Sequence, residues 1–346
     1  MKNIKILITG CAGFIGSHLT EYFLDEGASV TGIDNLSRNG TNENLKMFAD
    51  RNNFDFHHQD IRDFDAMAEI FKNRGPFDLV IHEAAQVAVT TSVTDPREDF
   101  EINALGTFNI LEAVRLYSPE AFFEFASTNK VYGKMEDVET VQRNNRYEYM
   151  DAAFGIDEKY PLDFYSPYGC SKGAADQYVH DYSRIYGLRT VVLRQSCIYG
   201  TRQFGIEDQG WVAWFTIAAI LGKDITIYGD GMQIRDILWI KDLVEIYAKL
   251  FAQADKVEGQ VFNVGGGHEN TLSLLELVDL LKSEDLLKKN VSFGDWRPGD
   301  QKVFVCNVNK AREVAGWEPT TSPQEGIRKL SAWVVLNKDL IQKVLG

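Results

Sequence analysis

The sequence is poor in what a secreted, metal-binding or nucleic-acid-binding protein needs. Four cysteines, Cys11, Cys170, Cys197 and Cys306, occur in 346 residues and none forms a CxxC pair. That excludes a disulfide scaffold and points to a reducing cytoplasm. The six histidines make no close ligand pattern. His57 and His58 are adjacent and would face opposite sides of a strand, so no metal site is expected. Lysine and arginine total 36 against 50 aspartates and glutamates, a formal net charge of −14. With no basic patch, a nucleic-acid partner is excluded, and the acidic surface serves solubility. No apolar run is long enough to span a bilayer, and the first residues enter a buried strand at once, so neither a membrane partner nor a secretory leader is expected. Internal repeats and low-complexity tracts are lacking too.

What is present is an ample core and an alternation of strand and helix patterns, which together predict an α/β fold around a parallel sheet. The length suits one large dinucleotide domain plus a smaller one. Ile4-Lys5-Ile6-Leu7-Ile8-Thr9 reads as a buried strand and runs into Gly10-Cys11-Ala12-Gly13-Phe14-Ile15-Gly16, followed by a helical pattern from Ser17 to Leu24. Glycines at this spacing allow a tight turn and close approach of the backbone to a pyrophosphate, and the helix N-terminus offers free N–H groups to it. The next strand, from Ser29, ends in Asp34, an acceptor for ribose hydroxyls that would repel the 2′-phosphate of NADP. Arg38 argues the other way, but Asp34 sits at the strand tip and outweighs it, favouring NAD. Asp60-Ile61 follows another strand-like run and is either an adenine contact or a plain turn.

Ser166-Pro167-Tyr168-Gly169-Cys170-Ser171-Lys172 opens a helix that reaches Tyr186 and ends at Gly187. Residues i and i+4 share a face, so Tyr168 and Lys172 point at one place. An ammonium group beside a phenol favours the phenolate and suits the tyrosine for proton transfer. Two further strands end in small or hydroxylated residues: Phe77-Asp78-Leu79-Val80-Ile81-His82 before Glu83-Ala84-Ala85-Gln86, and Phe122-Phe123-Glu124-Phe125-Ala126 before Ser127-Thr128-Asn129-Lys130-Val131-Tyr132-Gly133. The carboxyl ends of strands are where open α/β sheets bind ligands. A polar insertion at 134–158 is expected to form a loop over the site. Ser273-Leu274-Leu275-Glu276 and Ser322-Pro323-Gln324-Glu325 read as capping boxes.

Together these segments resemble the extended short-chain dehydrogenase/reductase superfamily, and within it the nucleotide-sugar epimerases and dehydratases, over essentially the whole chain. The resemblance implies a Rossmann-type doubly wound parallel sheet, residues 1–190 plus about 236–265, and a smaller, discontinuous α/β nucleotide-sugar domain, residues about 191–235 plus 266–346. It implies NAD as cofactor, held by Gly10, Gly13, Phe14, Ile15, Gly16, Asp34, Asn35, Ser37, Arg38, Asp60, Ile61, Ala84, Ala85, Gln86, Asn103, Tyr168 and Lys172. Thr128, Tyr168 and Lys172 match the family's catalytic set, and Asn103 matches a position that supports the site and its lysine. Arg235, in Gly229-Asp230-Gly231-Met232-Gln233-Ile234-Arg235-Asp236, and Arg297, in Arg297-Pro298-Gly299-Asp300, would grip the diphosphate of a nucleotide sugar. Thr128, Ser196, Cys197, Arg202, Gln209 and Asp300 would complete the substrate contacts. The helices near 100–116 and 167–186 pair with a second subunit in many relatives, implying a homodimer or homotetramer; the same faces would otherwise be core.

Two details narrow the chemistry. The 4,6-dehydratases of the superfamily carry Thr-Asp-Glu where this chain has Thr128-Asn129-Lys130, so the acid–base pair for dehydration is missing and epimerisation is favoured. The Ser-Thr-Asn-Lys-Val-Tyr-Gly and Ser-Pro-Tyr-Gly-Cys-Ser-Lys segments, residues 199–204 and Asp208-Gln209-Gly210-Trp211 resemble the CDP-paratose (CDP-tyvelose) 2-epimerases, implying a CDP-deoxyhexose substrate. UDP-hexose 4-epimerases usually have asparagine where this chain has Cys197. The rivals are such a 4-epimerase or related oxidoreductase, and a non-catalytic NAD-sensing regulator, which would typically lack the tyrosine or lysine present here.

Overall fold

The apolar run after Lys5 forms a strand buried from its second residue onward, because both of its faces are covered. The computed structural model describes residues 1–297 and 300–346. Its strands are β1 (Lys5–Thr9), β2 (Ser29–Asp34), β3 (Phe54–His58), β4 (Leu79–His82), β5 (Phe122–Thr128), β6 (Thr140–Arg143), β7 (Arg146–Tyr149), β8 (Arg189–Gln195), β9 (Cys197–Tyr199), β10 (Thr226–Tyr228), β11 (Ile234–Trp239), β12 (Gln260–Val264), β13 (Thr271–Ser273), β14 (Ser292–Gly294) and β15 (Val303–Phe304). Seven form one sheet in the order β12-β8-β5-β4-β1-β2-β3, every neighbouring pair parallel. The chain winds outward from β1 through β3 and then from β4 through β12. The order therefore reverses between β1 and β4, the switch point where ligands bind outside the carboxyl ends of the strands.

The fold class matches the expectation, and β8 keeps the chain in the sheet to Gln195. A separate sheet is built from β9, β11, β13 and β15, and β10 pairs with β14. Helix Ile240–Ala252 follows β11 and packs back on the first helix, Phe14–Asp25. Residues 134–158 do not form the expected loop throughout: β6 and β7 pair as an antiparallel hairpin. Alternating Thr-Val-Gln-Arg and Arg-Tyr-Glu-Tyr segments suit a half-buried ribbon, and Asn144 accepts the left-handed backbone of its turn, φ 52°. Ser273 makes a complete capping box with Glu276, whereas Ser322 makes half of one, accepting from the Glu325 N–H.

The helix that carries Tyr168 and Lys172 spans Ser166–Tyr186, with Pro167 in its first turn and Gly187 in the left-handed conformation at its end. The Ser166 hydroxyl accepts the Gly169 N–H at 3.2 Å, as the sequence suggests. Two turns on, this helix is pinned to the sheet. Asp176, with no exposed surface, receives Arg194 of β8 through two hydrogen bonds of 3.0 Å, and Ser127 of β5 donates to it at 2.6 Å. Arg194 also donates to Tyr132, which donates to Asn263 of β12. Buried charges so bound are costly to separate, because removing one leaves the other without water or partner. Asp176→Ala is expected to lower stability by about 3–5 kcal/mol, read from the denaturant midpoint; a loss below about 1 kcal/mol would contradict the pinning role.

Candidate active site

The glycine turn is closed by its own backbone. Gly10 donates to Ile33 O at 2.7 Å and accepts from Gly13 N–H at 3.0 Å. A Cβ on Gly16 would lie 2.0 Å from Gly10 O, and one on Gly10 2.8 Å from the Ala84 nitrogen, so the turn sits against the end of β4 with no room for side chains. Helix Phe14–Asp25 begins at Gly13 with no side-chain cap, leaving its first N–H groups, at Phe14 and Ile15, for an anion. This cradle fits a dinucleotide diphosphate.

Asp34 is buried at the β2 tip, where its carboxylate accepts the Ala12 N–H at 3.0 Å and the Leu36 N–H at 2.8 Å. Burial raises its pKa, and those backbone donors oppose the rise. Asn35 donates to Asp60 at 2.9 Å and accepts from the Ser37 N–H at 3.2 Å. Hydrogen bonds from Arg62 hold the Asp60 carboxyl down at about 2. These groups fit the adenosine end. Ile61 instead packs beneath Gly106. Arg38 donates to Gln209, joining the loop after β2 to the loop before helix Trp211–Leu221.

Thr128, Tyr168 and Lys172, the expected catalytic trio, converge at the carboxyl ends of β5 and β8. Tyr168 and Lys172 are buried on one face of their helix, and Thr128 closes β5 beside them. Lys172 Nζ donates to the Ala126 carbonyl at 2.5 Å and lies 4.3 Å from the Phe125 ring centre. Burial pushes the Tyr168 phenol up to about 12, and the hydrogen bond from Thr128 draws it back. Burial pulls Lys172 down to about 8, against the carboxylates of Glu83, Asp176 and Asp99. The phenol's most direct support is thus Thr128, while the ammonium is anchored on the strand.

Asn103 does not touch the ammonium. It lies on a π-helical turn, Glu101–Leu105, and donates to Gln86 O, Asp99 and Ser171 at 3.0–3.1 Å, while its own oxygen accepts the Gln86 N–H at 2.9 Å. Ser171 in turn donates to Asp99 at 2.5 Å. This buried knot fixes the residue next to Lys172 and the loop of Ala84, Ala85 and Gln86. Such turns break helical regularity where a side chain must be aimed.

On the opposite wall, Arg235 is 3.8 Å from Asp300 and donates to Gln301 O at 2.9 Å. Arg297 is paired with Asp208 at 3.0 Å and lies 3.9 Å over the Tyr228 ring; Pro298 and Gly299 of its motif lie outside the described residues. Ser196 donates to Asp236, and burial pushes the adjacent Cys197 thiol up to about 12. Arg202 turns to the first helix instead, holding Glu21 at 2.6 Å and Ser17 O at 3.2 Å. Sequence reasoning missed Lys130, which reaches toward Gln301 at 3.5 Å and is pulled down to about 8 by burial, with Arg235 adding to the fall. It also missed Asp99, Ser171 and Glu83. Lys130 and Ser171 stood inside quoted motifs, and Glu83 was a carboxylate directly after an apolar strand, so the signals were present.

Known proteins carry the same plan. The chain is 44% identical to the CDP-paratose 2-epimerase of Salmonella typhi over 337 residues, 95% of this chain and 99% of that one. It superimposes on the UDP-glucose 4-epimerase of Thermotoga maritima, solved with UDP-glucose, with a TM-score of 0.83 at 32% identity, covering 97% of this chain and 100% of that one. The UDP-glucose 4-epimerase of Thermus thermophilus, solved with NAD, gives a TM-score of 0.79 at 32% identity over 95% and 98% of the two chains. Residues 7–330 match the family described as GDP-mannose 4,6 dehydratase. With a glycine turn after β1, an acidic β2 tip and a Tyr-xxx-Lys helix, the chain belongs to that family of extended short-chain dehydrogenase/reductases.

Proposed function

We propose that the chain is an NAD-dependent nucleotide-sugar epimerase that inverts C2 of CDP-paratose to give CDP-tyvelose. The observation that carries the reading is the convergence of Thr128, Tyr168 and Lys172 in a site where positions 129 and 130 are Asn and Lys. That site can move a proton on a sugar hydroxyl, yet it offers no carboxyl pair at the position used for dehydration. The 44% identity with the Salmonella typhi enzyme supports the choice of sugar and carbon, and the carboxylate of Asp34 supports NAD over NADP.

NAD, when bound, supplies a hydride acceptor that later becomes the donor. Burial holds the Tyr168 phenol up at about 12. With substrate and cofactor bound, the charge of Lys172 and the Thr128 hydrogen bond must bring it to the phenolate, which then takes the proton of the C2 hydroxyl as the C2–H bond breaks, leaving a ketone. Lys172, charged and held on the Ala126 carbonyl, would offset the phenolate, and Thr128 would hydrogen-bond the reacting oxygen. After the sugar turns, C2 receives the hydride on its other face and Tyr168 returns the proton, so no cofactor is consumed. Arg235 and Arg297 supply forked donors for the diphosphate while the sugar turns.

We further propose residues 1–190, which β8 carries on to Gln195, plus about 236–265 as the dinucleotide domain and the remainder as the nucleotide-sugar domain, a cytoplasmic setting in keeping with four free cysteines, and a homodimer or homotetramer. Phe100, Leu116, Tyr178, Ile185 and Tyr186 are exposed along the helices on one side of the sheet, an apolar face that a second copy would cover.

Tyr168→Phe is expected to lower kcat by about 10²–10⁴-fold while the purified protein keeps its bound NAD; unchanged turnover would refute the role. Comparing nucleotides, kcat/KM for CDP-paratose should exceed that for UDP-glucose by at least about 100-fold. A preference for the UDP sugar would sink the CDP reading and leave the hydride chemistry standing.

A further inference from the structure

Helix Ile240–Ala252 covers one face of the sheet with an almost wholly apolar surface, yet two carboxyl groups are set beneath it. Glu124 of β5 has no exposed surface, and neither of its oxygens has a hydrogen-bond partner among the described residues. Glu83 follows β4 and is only partly covered. Its carboxylate accepts the hydroxyl of Tyr247, and that hydroxyl accepts the side-chain amide of Gln195 at 2.8 Å. Its backbone is fixed as tightly: the N–H donates to Thr9 O at 3.3 Å, and its carbonyl carbon would lie 3.1 Å from a Cβ on Gly10.

The strand register locates Glu83 relative to the chemistry. His82 pairs with Phe125, so Glu83 stands level with Ala126, about 5 Å away across the parallel pair. Ala126 is the residue whose carbonyl holds Lys172. Glu83 therefore lies between the glycine turn, where the diphosphate of a dinucleotide binds, and the Tyr168–Lys172 pair, where its nicotinamide must reach. A dinucleotide joining those two points crosses the end of β4.

We propose that Glu83, oriented by Tyr247 and Gln195, is a positioning carboxylate for the nicotinamide that favours its cationic, oxidised form over the neutral, reduced one. The inference rests on the dinucleotide reading of the site and is independent of which sugar is bound. A fixed negative charge beside the ring attracts the oxidised form and not the reduced one, an effect strengthened by the low dielectric of a covered cleft. During turnover it would drive the hydride back to the ketone and limit escape of the keto-sugar from a reduced enzyme. The charged and titratable groups facing Glu83 are Lys172 from the catalytic helix, Tyr247 from the covering helix and Glu124 from β5. Burial raises Glu83 to about 7, against the Tyr247 hydrogen bond and the Lys172 charge. Burial, and then the neighbouring Glu83, raise Glu124 well above the usual carboxylate range.

The test equilibrates holoenzyme at pH 8 with a fixed mixture of NAD⁺ and NADH in excess, removes free nucleotide, and measures the ratio of reduced to oxidised cofactor bound. Glu83→Gln should raise that ratio by about 10-fold over wild type. Tyr247→Phe removes the donor that keeps Glu83 ionised, so it should raise the ratio in the same direction at pH 7 and less at pH 9. This second variant reads the same effect should Glu83→Gln fold poorly. A ratio within about twofold of wild type in both variants would overturn the proposal, since loss of packing alone would weaken both cofactor forms together. Failure of the wild type to bind either nucleotide would overturn the dinucleotide reading beneath it.

Discussion

The rotation of one helix about its own axis is the constraint on which the site depends. Tyr168, Lys172 and Asp176 lie four residues apart in succession, so they form one stripe down the helix. Asp176 is locked to Arg194 and Ser127, and Lys172 to the Ala126 carbonyl one turn earlier. With those two turns fixed, Tyr168 has one direction left, toward Thr128. A buried ion pair is a poor source of net stability but a strong source of register, because only one geometry satisfies both charges. The same strand ends that receive the helix, at β5 and β8, also provide Thr128 and lead into Ser196 and Cys197. The helix of Tyr168 and Lys172, Thr128 and the Ser196–Cys197 segment are thus held by one piece of the sheet.

Charge is distributed against the grain of the chain. A molecule with a net charge of −14 nevertheless directs Arg38, Arg235 and Lys130 toward the cleft, each contributed by a different segment. Arginine suits phosphate oxygens through its forked donors, and local cations inside an acidic surface define where an anionic ligand stays. The carboxylates at the cleft are equally placed: Asp34 at the tip of β2, Asp300 opposite Arg235, and Glu83 after β4, against the glycine turn and level with the β5 carbonyl that holds Lys172.

The parallel sheet, the glycine turn, Asp34 and the Tyr168–Lys172 helix were legible in the sequence because each depends on local pattern: an apolar run, a glycine spacing, an i to i+4 pair, a helix stop at Gly187. The hairpin at 140–149 was not, since short polar ribbons alternate weakly and Asn144 gives a less certain turn signal than Asn-Gly. Partners chosen by tertiary packing were also hidden. Arg202 turns to Glu21 of the first helix, and Asn103 reaches Lys172 only through Ser171. Nothing in the local sequence around 202 or 103 encodes those distant neighbours. Glu83 and Glu124 were visible as acids after or within apolar strands, but their place on the side of the sheet that carries Tyr247 emerges only when β4 and β5 are laid side by side.

The central claim is that hydride leaves and returns to the same sugar carbon within one closed site. The direct measurement is turnover of CDP-paratose carrying deuterium at C2 in ordinary water, with no NAD added to the purified protein, followed by mass spectrometry and NMR of the product. The account predicts CDP-tyvelose that retains its deuterium at C2. Loss of the label to solvent would contradict it, because a proton exchanged with water means that C2 was inverted through a carbanion rather than by hydride return.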